Sequence, residues 1–265
     1  MLDAQNMTAL QRARGQASVA FAGDDSRLLR LRQAGCLKAM LPRNHAPVPD
    51  VVLINTSGGL TGGDHLSVEA SLDAGARAAI ATQTAERVYR SRSGAARVDV
   101  TLTLGDGCTL DWLPQETILF DHSALDRRID VTMGQGARLL MVEPIVFGRA
   151  AMGEALNHTA LRDNWRIRRG GELIHAEALR IDGHFDAYRG IGCLGAARAV
   201  ATILYVGDDA EARLDGIRAM GLSASAWDGR LVVRLVAESP RKMRGQLIDF
   251  MTKFRNAPVP RVWTM

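Results

Sequence analysis

A mainly β fold is what the 265-residue sequence predicts: a stacked, solenoid-like body of many short strands with two C-terminal α-helices packed on it. Three observations carry this. A strand–glycine turn–strand unit recurs about every 30 residues between residues 66 and 176. No helical periodicity interrupts those units. Helix signals with caps appear only after residue 197. The expected layout is one domain over 1–265, with a repeated strand body over 17–197, a β-α-β-α part over 198–256 and an extended tail over 257–265.

Residues 1–16 are polar and expected to fray. Ala17–Phe21 alternates weakly and reads as a first strand, Arg27–Leu37 as a second. Leu41–Pro49 holds three prolines, which remove ladder donors, and reads as a loop. The apolar run Val51–Ile54 then enters a glycine-rich turn ending at Asp64.

The repeat follows. Leu66–Leu72, Val98–Leu104 and Ile129–Met133 alternate apolar with polar residues. Each turns at a glycine (Gly75, Gly107, Gly136) and continues as Ala78–Thr82, Thr109–Leu113 and Arg138–Val142. A looser fourth copy runs Trp165–Arg168, turns at Gly171, and resumes at Leu173–Ala176. The turn glycines are 32, 29 and 35 residues apart. Two-residue alternation means half-buried strands. Recurrence near 30 residues without helices predicts stacked β coils, in preference to the longer, more regular blades of a propeller.

Between copies the chain is polar. Counted from the turn glycine, Gln83 and Gln115 fall at +8, Glu143 at +7 and Glu177 at +6. In stacked coils equivalent offsets lie close together, so the spacing predicts a column of carboxylates and amides. Such a column either pairs with arginines such as Arg87, Arg128 and Arg149 or lines a wet passage, since buried carboxylates need partners. Solvated strand ends are the plain alternative.

After residue 197 the pattern changes. Ala199–Tyr205 and Leu231–Val236 read as strands. Asp208–Met220 reads as an amphipathic helix, with acids at its start and Gly221 past its end. Ser239 caps a second helix that has Pro240 at its first position and runs through Phe254. The tail, Ala257–Trp263, carries two prolines and is expected to lie extended on the surface.

Composition narrows the function classes. Hydrophobic content of 47% against 23% charged residues fits an ordered globular chain. The net charge of +4 rests on arginines spread along the chain, with three lysines among 33 basic residues. Cys36, Cys108 and Cys193 are isolated and odd in number, which fits a reducing cytoplasm and no cysteine-based zinc site. No secretion signal and no membrane-spanning run are present.

Familiar chemistry is also missing. The loop Asn55–Asp64 lacks the lysine of a phosphate loop, and Leu60 stands where a dinucleotide loop has its second glycine. Gly-x-Ser-x-Gly does not occur, and Ser57 has no evident base. The six histidines never fall as H-x-H or H-E-x-x-H. His175 and Glu177, two apart on a strand, share a face and form either a hydrogen-bonded core pair or a transient metal contact. No catalytic residue is indicated.

Several long segments nevertheless resemble the signature motifs of the urease accessory protein family UreD, also called UreH. They are the loop Asn55–Asp64 with Gly58, Gly59, Gly62 and Gly63; Thr82–Ser91 with Tyr89, Arg90 and Ser91; Leu113–Asp121 with Gln115; Phe147–Glu154 with Gly148 and Arg149; and Trp227–Leu231. They occur in order and cover nearly the whole chain. The chain departs from the family pattern at Glu86, and at His122, where many members have glycine. The resemblance implies a non-enzymatic scaffold of mostly β fold in a hetero-oligomer. Its implied partners are apo-urease, the helical accessory protein UreF and the GTPase UreG, with nickel passing through to the urease active site. No permanent cofactor, nucleic acid or membrane partner is implied. Nickel in transit needs weak oxygen or nitrogen ligands in succession. Asp64, Glu86, Glu116, Glu143, His175 and Glu177 are the expected path residues. Poor solubility of the isolated chain is a further expectation.

Two other classes remain open from the residues themselves. One is a nucleic-acid-binding β protein using Arg87, Arg90, Arg92 and Arg97, although that loop has Tyr89 alone for stacking. The other is an enzyme acting at the Gly58–Asp64 loop.

Overall fold

The computed structural model describes residues 11–43, 48–149, 153–190 and 192–265. Of the start expected to fray over 1–16, residues 1–10 lie outside the described residues, as do the centre of the proline loop at 44–47 and residues 150–152 of the fourth motif. Arg14–Gln16 do not fray but open a strand, paired with His65–Ser67.

Two sheets face each other. The first holds β1 (Arg14–Ala22), β2 (Arg27–Gly35), β5 (His65–Leu72), β8 (Ala96–Leu104), β11 (Ser123–Met133), β13 (His158–Arg169) and β14 (Glu172–His184). Its spatial order is β14-β13-β11-β8-β5-β1-β2. The second holds β3 (Leu37–Met40), β4 (Asp50–Asn55), β6 (Arg77–Thr82), β9 (Thr109–Leu113), β12 (Arg138–Phe147), β15 (Ala199–Val206), β16 (Ser223–Trp227) and β17 (Arg230–Ala237). Its order is β16-β17-β15-β12-β9-β6-β4-β3, and short β7 (Glu86–Val88) and β10 (Thr117–Leu119) pair alongside β12.

The first three repeat units form the expected stacked coils. Each crosses from the first sheet to the second through its glycine turn. Val68 lies beside Val100 and Val100 beside Ile129, while Ala78, Leu110 and Leu139 align in the other sheet. The turns stack too, with Gly75 N–H donating to the Asp106 carbonyl at 3.0 Å and Gly107 N–H to the Gln135 carbonyl at 2.9 Å.

Layering explains the two hydropathy patterns. The first sheet is covered on one face, and β11 alternates buried with more exposed residues along its length. The second sheet is covered on both faces, by the first sheet and by the helices. Accordingly β12 is buried without a break from Leu139 to Phe147. Helix α2 (Pro240–Arg255) is capped by Ser239, whose hydroxyl accepts from Lys242 N–H at 3.2 Å. It buries Met243, Leu247, Phe250, Met251 and Phe254, each contributing about 1.5–3 kcal/mol.

Five further expectations are corrected. Arg27–Leu37 is not one strand: the chain turns at Gly35 and Cys36, so β2 and β3 enter different sheets. The fourth repeat copy does not cross between sheets either. Gly170 and Gly171 both take positive φ, 58° and 87°, which suits a tight primed turn and makes β13–β14 an antiparallel hairpin within the first sheet. The helix expected over Asp208–Met220 is α-helical only as α1 (Leu214–Ala219), preceded by a turn and one 3-10 turn. β16 lies between that helix and β17, joined to the latter across Asp228-Gly229, both at positive φ. Finally the tail is not a surface strand. Val259, Val262 and Trp263 are buried, and Trp263 Nε1 donates to the Leu113 carbonyl at 2.9 Å. No helix among the described residues is long and apolar enough to cross a membrane.

Candidate functional site

The polar corners of the coils gather at one end of the sandwich and surround a cavity of about 130 Å³ between the sheets. Its mouth is lined by Asn55, Gly58, Gln83, Thr84, Ala85, Glu86 and Arg87, its interior by Trp112, Gln115, Thr117, Arg127 and Glu143. The apolar wall comes from inward positions of the first sheet, including Leu66, Val68, Val98, Val100 and Leu125.

Glu86, at the mouth, accepts from Asn55 Nδ2 at 3.0 Å and from Arg87 N–H at 3.1 Å. Burial raises its pKa above the ordinary value, against the lowering effect of those hydrogen bonds. Glu143 sits inside and is 2% exposed. Trp112 Nε1 donates to its Oε1 at 2.6 Å, and Arg127 donates to its Oε2 at 2.5 Å. The other arm of the same guanidinium meets Asp163 through two bonds of 2.9 and 2.5 Å, and Trp165 Nε1 adds a third at 3.0 Å. Arg127 stands directly opposite Asp163 across β11 and β13. Two carboxylates therefore share one guanidinium in a dry interior. Burial, with the like charge of Asp163 behind it, pushes the Glu143 carboxyl up to about 7 although Arg127 opposes the shift. The two carboxylates hold Arg127 protonated against its own burial.

A pH dependence follows. The folded Glu143 carboxyl titrates above its ordinary value of 4.5, so between about pH 4.5 and 7 the folded state keeps a proton that the unfolded chain has released. This group's contribution to stability is thus full below that window and falls as pH rises through it. Glu143→Gln should abolish that slope, a difference of roughly 1–3 kcal/mol across the window. Urea midpoints of both proteins from pH 5 to 8 measure it.

The other expected path residues lie elsewhere. Asp64 is buried with both oxygens engaged by backbone, accepting Ala13 N–H and Thr61 N–H at 2.8 Å each. Glu116 receives Arg244 at 3.1 Å on both oxygens and ties α2 to a coil corner. Glu177 pairs with Arg234 of β17, and the neighbouring His175 is buried, which lowers its pKa. These two follow the hairpin of β14, so they leave the column that spacing predicted. The cavity brings together Glu86 and Glu143 with Gln115, and excludes Asp64, Glu116, His175 and Glu177 from its lining. The acids do pair with arginines, but with Arg127, Arg244 and Arg234 in place of Arg87, Arg128 and Arg149. Among the described residues no three His, Cys, Asp or Glu side chains converge on a metal-sized point.

Of the motif segments, Asn55–Asp64, Thr82–Ser91 and Leu113–Asp121 contribute residues to the cavity lining, while Tyr89, Phe120, Asp121 and Arg149 lie off it. Tyr89 donates to the Gly58 carbonyl at 3.0 Å and packs edge-on against Phe120. Arg149 lies 4.3 Å over the Phe120 ring and bonds Glu154 at 2.7 Å. Asp121 accepts the N–H groups of Asn157 and His158 at 2.8 and 3.0 Å. Burial would raise its carboxyl, but those bonds outweigh it and hold the pKa low. Gln115 donates to the carbonyls of Thr82, Gln83 and Val262, anchoring the tail. Of the arginines at 87–97, Arg97 pairs with Asp99 and Arg90 reaches Asp121. Gly62 lies so close to the next loop that an added Cβ would collide with Ser91 Oγ and the Ser93 carbonyl. Gly62→Ala should cost about 1–3 kcal/mol, read as a lowered urea midpoint at unchanged slope.

Sequence reasoning missed Arg127 and Asp163. Their signal was phase: Arg127 alternates in step with Leu125 and Ile129, Asp163 with Leu161 and Trp165, so both point inward.

A family model described as UreD urease accessory protein matches residues 11–264. The chain is 49% identical to a urease accessory protein UreD of Dinoroseobacter shibae, covering 97% of this chain and 94% of the relative. It is 46% identical to one of Cereibacter sphaeroides, over 96% of each chain. A third, from Agrobacterium fabrum, is 43% identical over 99% of this chain and 95% of its own length.

Proposed function

The chain belongs to the UreD family of urease accessory proteins, and from that premise we propose that it is a non-catalytic scaffold through whose interior nickel passes toward the urease active site. The observation supporting this reading is the cavity that opens at Glu86 and reaches Glu143 between the sheets. Its oxygen donors are few and spaced apart. They suit a hard-to-borderline cation held briefly at successive points, where a closed cage of thiolates or imidazoles would retain it. Glu86 is the entry ligand. Glu143, poised near neutrality, takes up a proton when the cation leaves and yields it when the cation arrives.

Asp64, Glu116 and Glu177 have a different role here. Their hydrogen bonds and ion pairs fix the loop, the helix and the sheet edge that shape the cavity. The partners proposed are apo-urease, UreF and UreG in a cytoplasmic hetero-oligomer, with nickel as cargo and no resident cofactor.

The double variant Glu86→Gln/Glu143→Gln tests the reading. It should co-purify with its partners as the unaltered chain does, yet lower nickel-dependent urease activation at least tenfold. Undiminished activation with complex assembly intact would refute the proposed path.

A further inference from the structure

Away from the cavity, three neighbouring segments of the first sheet each end in a histidine. His158 opens β13 and His184 closes β14, directly opposite one another in the strand pairing. Their Nε2 atoms lie 3.1 Å apart. His122, at the turn into β11, stacks on His158 with ring centroids 5.0 Å apart and rings 12° from parallel. The main chain fixes that stack, because His122 N–H donates to the His158 carbonyl at 2.8 Å. None of the three lines the cavity.

The Nε2–Nε2 separation is informative. Two nitrogens bound to one metal at about 2.0–2.1 Å lie about 3.0 Å apart at a right angle and about 3.4 Å apart at a tetrahedral angle. The observed 3.1 Å falls between them. The nitrogens are thus spaced as in a chelate, but the ring centroids are 3.8 Å apart, closer than two imidazoles on one ion stand, so binding must tilt the exposed His184 ring outward. His158 is half-buried and His184 is exposed. We propose that the His158–His184 pair, with His122 beside it, is a solvent-open binding site for a divalent first-row transition-metal ion, whose remaining positions are filled by water.

The surroundings set its strength. His158 Nδ1 is buried and has no hydrogen-bond partner. A metal on Nε2 places the proton on that nitrogen, where no carboxylate or carbonyl receives it. The usual second-shell support is missing, and binding is correspondingly weak and exchangeable. Imidazole nitrogen selects Cu, Ni and Zn over Mg and Ca. The site is independent of the interior path and stands or falls separately from it.

Cu(II), the tightest-binding ion of the series, is the probe. Substoichiometric Cu(II) added to the full-length chain should give an electron paramagnetic resonance spectrum with hyperfine structure from two imidazole nitrogens. His184→Gln alters an exposed side chain, and circular dichroism verifies that its fold is kept. It should leave one such nitrogen and weaken Cu(II) binding at least tenfold, and His158→Gln should do the same. Glu86→Gln/Glu143→Gln should leave the two-nitrogen signal unchanged. Spectra and affinities unaltered by either histidine substitution would overturn the proposal and leave the pair as a plain imidazole–imidazole hydrogen bond.

Discussion

Arg127→Met should lower the unfolding free energy by about 3–5 kcal/mol, because it strips the shared partner from two buried carboxylates at once. Glu143 and Asp163 are each 2% exposed and reach the same guanidinium from opposite sides. Without it, one or both must protonate or draw water into the sandwich. Against a total stability of about 5–15 kcal/mol the loss is large. It corresponds to a fall in melting temperature of roughly 10 °C. Thermal and urea denaturation measure it. A companion protein carrying Arg127→Met, Glu143→Gln and Asp163→Asn has no unpaired buried charge, and should recover part of the loss. If the single variant were as stable as the unaltered chain, the three side chains would not be the electrostatic unit described here.

Ala85→Trp should reduce urease activation at least tenfold without removing any ligand. Ala85 sits at the cavity mouth between Thr84 and Glu86, in a bend that carries no strand hydrogen bonds of its own. An indole there fills the opening while Glu86 and Glu143 stay in place. The variant separates passage from ligation, which the carboxylate substitutions cannot do. Activity assayed after co-expression with urease and its accessory proteins, alongside co-purification of the complex, gives the answer. An assembled complex that activates urease normally through a plugged mouth would mean that nickel takes another route.

Much of the architecture was legible in the sequence because coil stacking follows from local rules. Alternation marked β5, β8 and β11, and a glycine turn after each marked the crossing to the second sheet. The fourth unit deceived because its turn holds two adjacent glycines, both at positive φ, where the earlier crossings use one positive-φ glycine within a longer turn. Gly170-Gly171 closes a hairpin and carries His175 and Glu177 off the column. Asp228-Gly229 was an equally local signal, and it explains β16. The buried tail was not legible. Two prolines favour extended backbone, but nothing local says that Trp263 fits under α2 with Arg244 over its ring.

The candidate site was legible by residue type and only half by place. Gln83, Gln115 and Glu143, at near-equal offsets, line one cavity because three coils keep their register, and Glu86 lines it from outside that offset set. Asp64 and Glu116 read alike in sequence, yet one is consumed by backbone N–H groups and the other by Arg244. Spacing cannot reveal which partner a carboxylate will find. Arg127 could have been anticipated, because a cation in step with buried leucines must meet an anion inside.

The most direct test of the interior path is anomalous diffraction at the nickel edge, from crystals of the chain with its accessory partners soaked in Ni(II). The account predicts a peak between the two sheets, within coordinating distance of the Glu86 or Glu143 carboxylate. Nickel found only on the outer surface, with that cavity empty, would contradict it.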